Sequence, residues 1–206
     1  IRTTNGSTAN ASSLSGTLDR LTPPSDVFLS RGHTWLRLEP GGTVRVGADA
    51  LAPVLLGGVS RADVRPRGTR VRRGQRLATL ERDGRSVVLH SPVDGIVTAV
   101  NPGVARDAGD VGSDPYGAGW LVRIEPTRLG PALAAMRVAN DAVTWMRDEL
   151  RRLRDLLVAG VPQAATTLPD GGLPADGVAE RLDASAWERI VEQLFAGDDA
   201  DDGVGA

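Results

Sequence analysis

The sequence predicts an α+β protein with a mainly-β central unit and appended C-terminal helices. Three observations carry this expectation. Between Val27 and Glu125, short runs alternate apolar and polar residues, the period-two pattern of strands with one buried face. Gly 25 and Pro 13 are abundant while aromatic residues make up only 3%, a loop-rich composition that suits short strands and turns better than a helical bundle. Beyond Pro126, apolar positions recur every 3 or 4 residues, which places them on one face of a helix.

The elements follow in order along the chain. Residues 1–24 are rich in Ser, Thr, Gly and Asn without periodic apolar positions, and read as a flexible leader. Residues 25–126 form the β unit. Trp35-Leu36-Arg37-Leu38 and Thr43-Val44-Arg45-Val46 flank Pro40-Gly41-Gly42, a hairpin pattern. Further strands are expected at Gln75–Arg82, Arg85–His90, Gly95–Val100 and Trp120–Glu125. Asp83-Gly84, between two alternating runs, is the strongest hairpin signal in the chain, since a type I′ turn needs positive φ and Gly accepts it readily.

Residues 127–160 are expected to form an amphipathic helix. Pro131 suits its first turn, and the stripe Met136, Ala139, Val143, Met146, Leu150, Leu153, Leu157 steps at helical spacing. Gly160 and Pro162 end it. A linker over residues 161–177 leads to a second amphipathic helix over 178–197, with Trp187, Ile190, Val191, Leu194 and Phe195 on its apolar side. Ser185 and Glu188 have the spacing of a capping box. Asp198, Asp199, Asp201 and Asp202 make residues 198–206 an acidic tail.

The bulk numbers exclude several classes of function. At 206 residues and 41% hydrophobic, the chain can bury a real core. With no cysteine, disulfides, thiolate metal sites and cysteine nucleophiles are ruled out. A net charge of −2 argues against general nucleic-acid affinity. No run approaches the roughly 18 apolar residues of a membrane span. Ile1 is not an initiator residue, so an upstream segment, targeting or anchoring among the options, is expected to have been removed. The cysteine count leaves the redox compartment undetermined; a cytoplasmic location, at the periphery of a membrane complex if the partners are membrane-bound, is expected.

Among the 24 basic residues there is no lysine; all are arginine. A GC-rich codon bias toward Arg, Ala, Gly and Val explains part of this. It would not be expected to remove a lysine that chemistry required.

Four segments carry a family resemblance over residues 33–126. They are His33-Thr34-Trp35-Leu36; Gly68-Thr69-Arg70-Val71-Arg72-Arg73-Gly74-Gln75 with Leu80-Glu81; Ser91-Pro92-Val93-Asp94-Gly95-Ile96-Val97; and Asp114-Pro115-Tyr116-Gly117-Ala118-Gly119-Trp120-Leu121. Together, with Asn101 and Val104 at matching spacing, they resemble the glycine cleavage H-protein family, relatives of the lipoyl and biotinyl carrier domains. The resemblance implies a flattened β-barrel of two interlocked halves, the barrel-sandwich hybrid of lipoyl domains. It also implies a modified lysine at an exposed hairpin tip, three residues after a glutamate. Counting from Glu81, and back from Ser91-Pro92, both lead to Gly84. Glycine offers no amine, and arginine, a permanently charged guanidinium, cannot replace one. The family's carrier role is therefore not expected to transfer, and no cofactor is expected. The segment Asp107–Gly112 also departs from the family pattern.

His33 and His90 read as polar caps at strand ends, since two histidines without a carboxylate pair fall short of a metal-ligand set. No Gly-x-Ser-x-Gly elbow is present, so no catalytic residue and no enzymatic activity are expected. Over residues 61–85, nine arginines face three acids, a local surplus of six positive charges. Arg67, Arg70, Arg72, Arg73 and Arg76 lie at its centre. This run is either a solvated face or a docking surface for an acidic protein or an anionic membrane. The stripe through Leu150, Leu153 and Leu157 packs either on its own domain or on another chain. Trp145 lies off that stripe, about 100° from Met146 around the helix, and Trp145 with Trp187 are candidate interface anchors. The sequence thus points to a non-catalytic, non-lipoylated scaffold subunit of a multi-subunit complex, with other protein subunits as partners. A non-carrying regulator of glycine-cleavage or related lipoate-dependent enzymes is the alternative.

Overall fold

A computed structural model describes residues 21–160 and 182–195. The leader over 1–24 therefore lies largely outside the described residues, as do the 161–177 linker and the 198–206 tail. Within the described residues ten strands and five helices are defined in order: β1 Phe28–Leu29, β2 Thr34–Leu38, β3 Val44–Ala48, α1 Leu51–Leu56, β4 Arg61–Val64, β5 Arg70–Val71, β6 Arg76–Arg82, β7 Arg85–His90, β8 Gly95–Val100, α2 Gly109–Ser113, β9 Trp120–Pro126, α3 Leu129–Ala134, β10 Arg137–Val138, α4 Ala139–Gly160 and α5 Ala184–Phe195. The six strands expected from alternation are all present as β2, β3, β6, β7, β8 and β9.

The strands form two antiparallel sheets, one of seven in the order β10-β1-β2-β3-β9-β8-β5 and one of three in the order β4-β6-β7. Their ladders do not join, so the flattened, barrel-like body stays open between the sheets. Leu36, Val46, Leu77, Val97 and Ile124 fill its interior. A second core lies under the helices, where Leu51, Leu80, Leu89 and Leu121 meet Leu153, Leu157, Trp187 and Ile190. A third surrounds the fully buried Trp35, packed with Leu29, Tyr116 and Met146. Its indole Nε1 donates to the Pro115 carbonyl at 3.0 Å, which joins the His33–Leu36 and Asp114–Leu121 segments.

The helix expected over 127–160 is broken. A short helix ends at Ala134, Arg137-Val138 then pairs with Phe28-Leu29 at the edge of the large sheet, and the long helix begins at Ala139. Ala139 has φ 52°, a left-handed backbone that no helix can pass through. Met136 consequently packs on the sheet interior and not along the helical seam. The second helix begins at Ala184, and its cap is not the Ser185–Glu188 box. Asp183 Oδ1 instead accepts from the Ala186 N–H at 2.7 Å and from the Ser185 hydroxyl at 2.9 Å, one of the N-terminal capping geometries that satisfies an otherwise orphaned donor.

Candidate functional site

The β6–β7 hairpin positions the tip. Arg82 pairs with Arg85, leaving Asp83-Gly84 as a two-residue turn with φ of 49° and 77°. Both angles are positive, as a type I′ turn requires, and both residues are exposed. A β-carbon at Gly84 would meet no atom within 4 Å, so space is not what a longer side chain lacks here. What is missing is chemistry. From Glu81 to Ser86 the tip contains no side-chain primary amine, and the sequence has no lysine elsewhere, so an amide-linked prosthetic group does not fit these residues.

A buried polar cluster lies beneath the helices. His33 is fully buried with φ 57°, and its Nδ1–H donates to Asp49 Oδ2 at 2.8 Å. The other Asp49 oxygen accepts from the Leu51 N–H at 2.9 Å, so this one carboxylate both holds the imidazole and starts α1. His33 Nε2 lies 3.9 Å from Glu149 Oε2 on α4. The imidazole stacks on Trp145 with centroids 5.1 Å apart and planes at 22°, and Phe195 of α5 lies 4.9 Å away. Nearby, burial first and the Asp49 carboxylate second push the Tyr116 hydroxyl well above its ordinary pKa, so it stays neutral. The expected role of His33, a hydrogen-bonded cap at a strand start, matches this geometry. Among the described residues no cluster of three or more His, Asp or Glu could hold a metal ion.

This arrangement of hairpin, buried strand-start histidine and Asp-Pro-Tyr-Gly segment has relatives. The family model for the glycine cleavage H-protein matches residues 28–149, more than half of the chain. The chain belongs to the glycine cleavage H-protein family. It is 36% identical over 121 residues to the glycine cleavage system H protein of Corynebacterium aurimucosum, covering 57% of this chain and 93% of that protein. The Mycobacterium leprae protein of the same name is 34% identical over 122 residues, covering 59% of this chain and 92% of its own. Among solved structures, the crystal structure of a glycine cleavage system H protein from Mycobacterium marinum superposes with a TM-score of 0.53 at 28% identity, covering 60% of this chain and 98% of that one. The H-protein match stops at Glu149, so the end of α4 and all of α5 lie beyond it.

What lies beyond the H-protein match closes onto the hairpin. The Arg85 guanidinium donates to the Leu182 carbonyl and sits 4.8 Å from the Trp187 ring centroid. Trp187, Ile190 and Leu194 pack with Val87 and Leu89 of β7. On the other flank, Arg82 donates to the Gly57 carbonyl, and a β-carbon at Gly58 would collide with the Arg82 guanidinium. Glycine at 58 is what lets this arginine lie against the backbone. Beside it is a cavity of about 270 Å³ between α1 and α2, lined by Pro53, Val54, Gly57, Gly58, Arg82 and Gly112 among others.

The residues singled out from the sequence fall into two groups. Leu153, Leu157 and Trp187 are buried in the chain's own core, at 0%, 2% and 8% exposure, and Leu150 packs at its margin. The helical seam is thus closed intramolecularly. Trp145 is half-buried between His33 and Arg137, whose guanidinium lies 4.9 Å from its ring; it is not a free anchor. Of the arginines, Arg76 is engaged with Asp63 and with Thr79 Oγ1, and the Arg73 N–H donates to Asp94 at 2.8 Å. Arg67, Arg70 and Arg72 are exposed and have no side-chain partner among the described residues. The sequence reading missed Asp49 and Glu149. The available signal was an acid set in the apolar run Gly47-Ala48-Asp49-Ala50-Leu51, since an acid there needs a partner.

Proposed function

We propose that this chain is an H-protein family member that carries no lipoyl group and serves as a structural, interaction-making subunit of a larger assembly. The observation that carries the reading is the hairpin tip. It keeps a well-formed two-residue turn while offering no amine for amide attachment. A second support is the helix beyond the family match, which is fastened onto the same hairpin through Arg85 and Trp187. The relatives' name, H protein of the glycine cleavage system, supports protein partners. The exposed Arg67, Arg70 and Arg72 are the part of the basic run left for an acidic one. No helix among the described residues is long and apolar enough to cross a membrane. Partners or this arginine face are the proposed route for any membrane contact.

Intact mass of the chain purified from its source organism tests the reading, with the unmodified mass expected. A lipoyl or other acyl adduct would overturn it. Native sizing and affinity purification, membranes included, should place the chain in a complex, and migration as a small free monomer would count against an assembly role. The second reading, a non-carrying regulator of glycine cleavage, is favoured by the match over residues 28–149. Co-purification with glycine-cleavage enzymes would establish it over the first.

A further inference from the structure

The cavity between α1 and α2 has one cation in its wall and, among the described residues that line it, no acid. Arg82 is that cation. Its Nη1 donates to the Gly57 carbonyl, and its Nε donates to Asp83 Oδ2 at 3.1 Å. These bonds leave most of a guanidinium's N–H donors unused, and Nη2 has no partner among the described residues. The side chain is 38% exposed, so water still screens its charge in part. An anion held there needs a second source of affinity.

The rest of the wall supplies one. Leu21, Pro53 and Val59 are buried, Val54 is half-buried, and all four line the cavity. Glycine backbone completes it. The Gly58 N–H donates to the Pro53 carbonyl at 2.8 Å, which closes the end of α1 over the left-handed Gly57. A β-carbon at Gly112 would stand 3.7 Å from the Gly58 α-carbon, so α2 meets α1 here through bare backbone. Gly109 and Ser113, which also line the space, are exposed and open it to solvent.

We propose that this cavity binds a small aliphatic monocarboxylate, its carboxylate on the Arg82 guanidinium and its chain against Pro53, Val54 and Val59. A guanidinium matches a carboxylate in geometry as well as charge, and one cation matches one negative charge better than the nearly two of a phosphate monoester. Ligand pockets generally run from roughly 300 to 1,000 Å³. At about 270 Å³, this one suits a short chain, of about five to eight carbons. The bound acid joins the base of the β6–β7 hairpin to α1 and α2, on the flank away from Arg85 and α5. The site stands on its shape and charge, independently of whether the hairpin tip carries a prosthetic group.

NMR titration of the isotope-labelled full chain with sodium hexanoate, at constant ionic strength, tests the assignment. Saturable shifts are expected in the amides of residues 54–59, 82 and 109–113. Hexan-1-ol has the same chain without the charge and should bind at least about tenfold more weakly, since charge-assisted hydrogen bonds are the stronger ones. Arg82→Met keeps an unbranched apolar stem; it should weaken hexanoate by a similar factor and leave hexan-1-ol unchanged. Melting curves show whether that variant keeps the fold. Absence of a saturable response, or shifts centred elsewhere, would overturn the proposal. Equal affinity for acid and alcohol would do the same, and that comparison uses the parent chain alone, so it decides the matter even if Arg82→Met fails to fold. Hexanoate binding unchanged in a folded Arg82→Met chain would also sink it.

Discussion

Arg85, the first residue after the hairpin turn, donates to the main-chain carbonyl of Leu182, 97 positions later in the chain. The same guanidinium lies 4.8 Å from the Trp187 ring. One side chain thus fastens the added C-terminal helix to the strand that leaves the tip.

Arg85→Ala should loosen that helix without unfolding the sheets. A hydrogen bond from a charged donor is worth about 1.5–3 kcal/mol, and a partly exposed cation–π contact about 0.5–1 kcal/mol more. Hydrogen exchange would report it, with amides over 184–195 losing protection while those of β6 and β7 keep theirs. Uniform loss across both would show that the helix and hairpin form one cooperative unit, not a docked pair.

Leu153 is fully buried where α4 meets the core, and Leu150 is only partly covered. Truncation of a buried leucine to alanine typically costs about 2–5 kcal/mol, so Leu153→Ala should lower the urea midpoint far more than Leu150→Ala. Leu153→Asp should prevent folding, because its charge would be buried without a partner. Equal small shifts at the two positions would place the seam against another chain instead.

Gly84 sits at φ 77° with open space around it. Left-handed backbone costs an ordinary L-residue roughly 1–2 kcal/mol, and asparagine less because it tolerates that region. Melting temperatures should therefore rank Gly84 above Gly84→Asn, and Gly84→Asn above Gly84→Val. Gly84→Lys should fold with the same secondary structure, since no neighbour obstructs its side chain. A collapse of that variant would show a steric constraint at the tip.

Glu39 links two strands electrostatically. Burial alone would raise its pKa, but the hydrogen bonds from Arg123 and Arg45 outweigh that and hold the carboxyl below its ordinary 4.5. Arg45 and Arg123 lie 5.6 and 5.0 Å from the Trp120 ring. A depressed acid stabilises the folded state once the pH exceeds the unfolded value, and that contribution fades as pH falls from 4.5 through the lower folded value. Glu39→Gln should reduce stability at neutral pH and flatten its decline in acid. A decline as steep as in the parent chain would assign the acid sensitivity to other groups.

Much of the β unit was legible because alternation at period two reports burial directly. Asp83-Gly84 gave the hairpin tip for a related reason: the turn's backbone demands are local. The two-residue strands β1, β5 and β10, and the four-residue β4, carry too little pattern to stand out, and they exist because a partner strand satisfies their backbone groups. The break at Ala139 was invisible for the same reason. Its cause is the pairing of Arg137-Val138 with Phe28-Leu29, more than a hundred residues earlier.

By itself, the sequence determined the family pattern, the order of strands around the tip, and the absence of any side-chain amine with which to carry an acyl group. Each of these is a property of residue identity or local spacing. The tertiary structure alone decided which surfaces remain for partners. It buried Leu153, Leu157 and Trp187 against the chain's own core, and it seated Trp145 on His33. It also neutralised Arg76 while leaving Arg67, Arg70 and Arg72 exposed. An apolar stripe or a run of arginines states a need for burial or for counter-charge, and only the packing of distant segments determines whether that need is met within the chain.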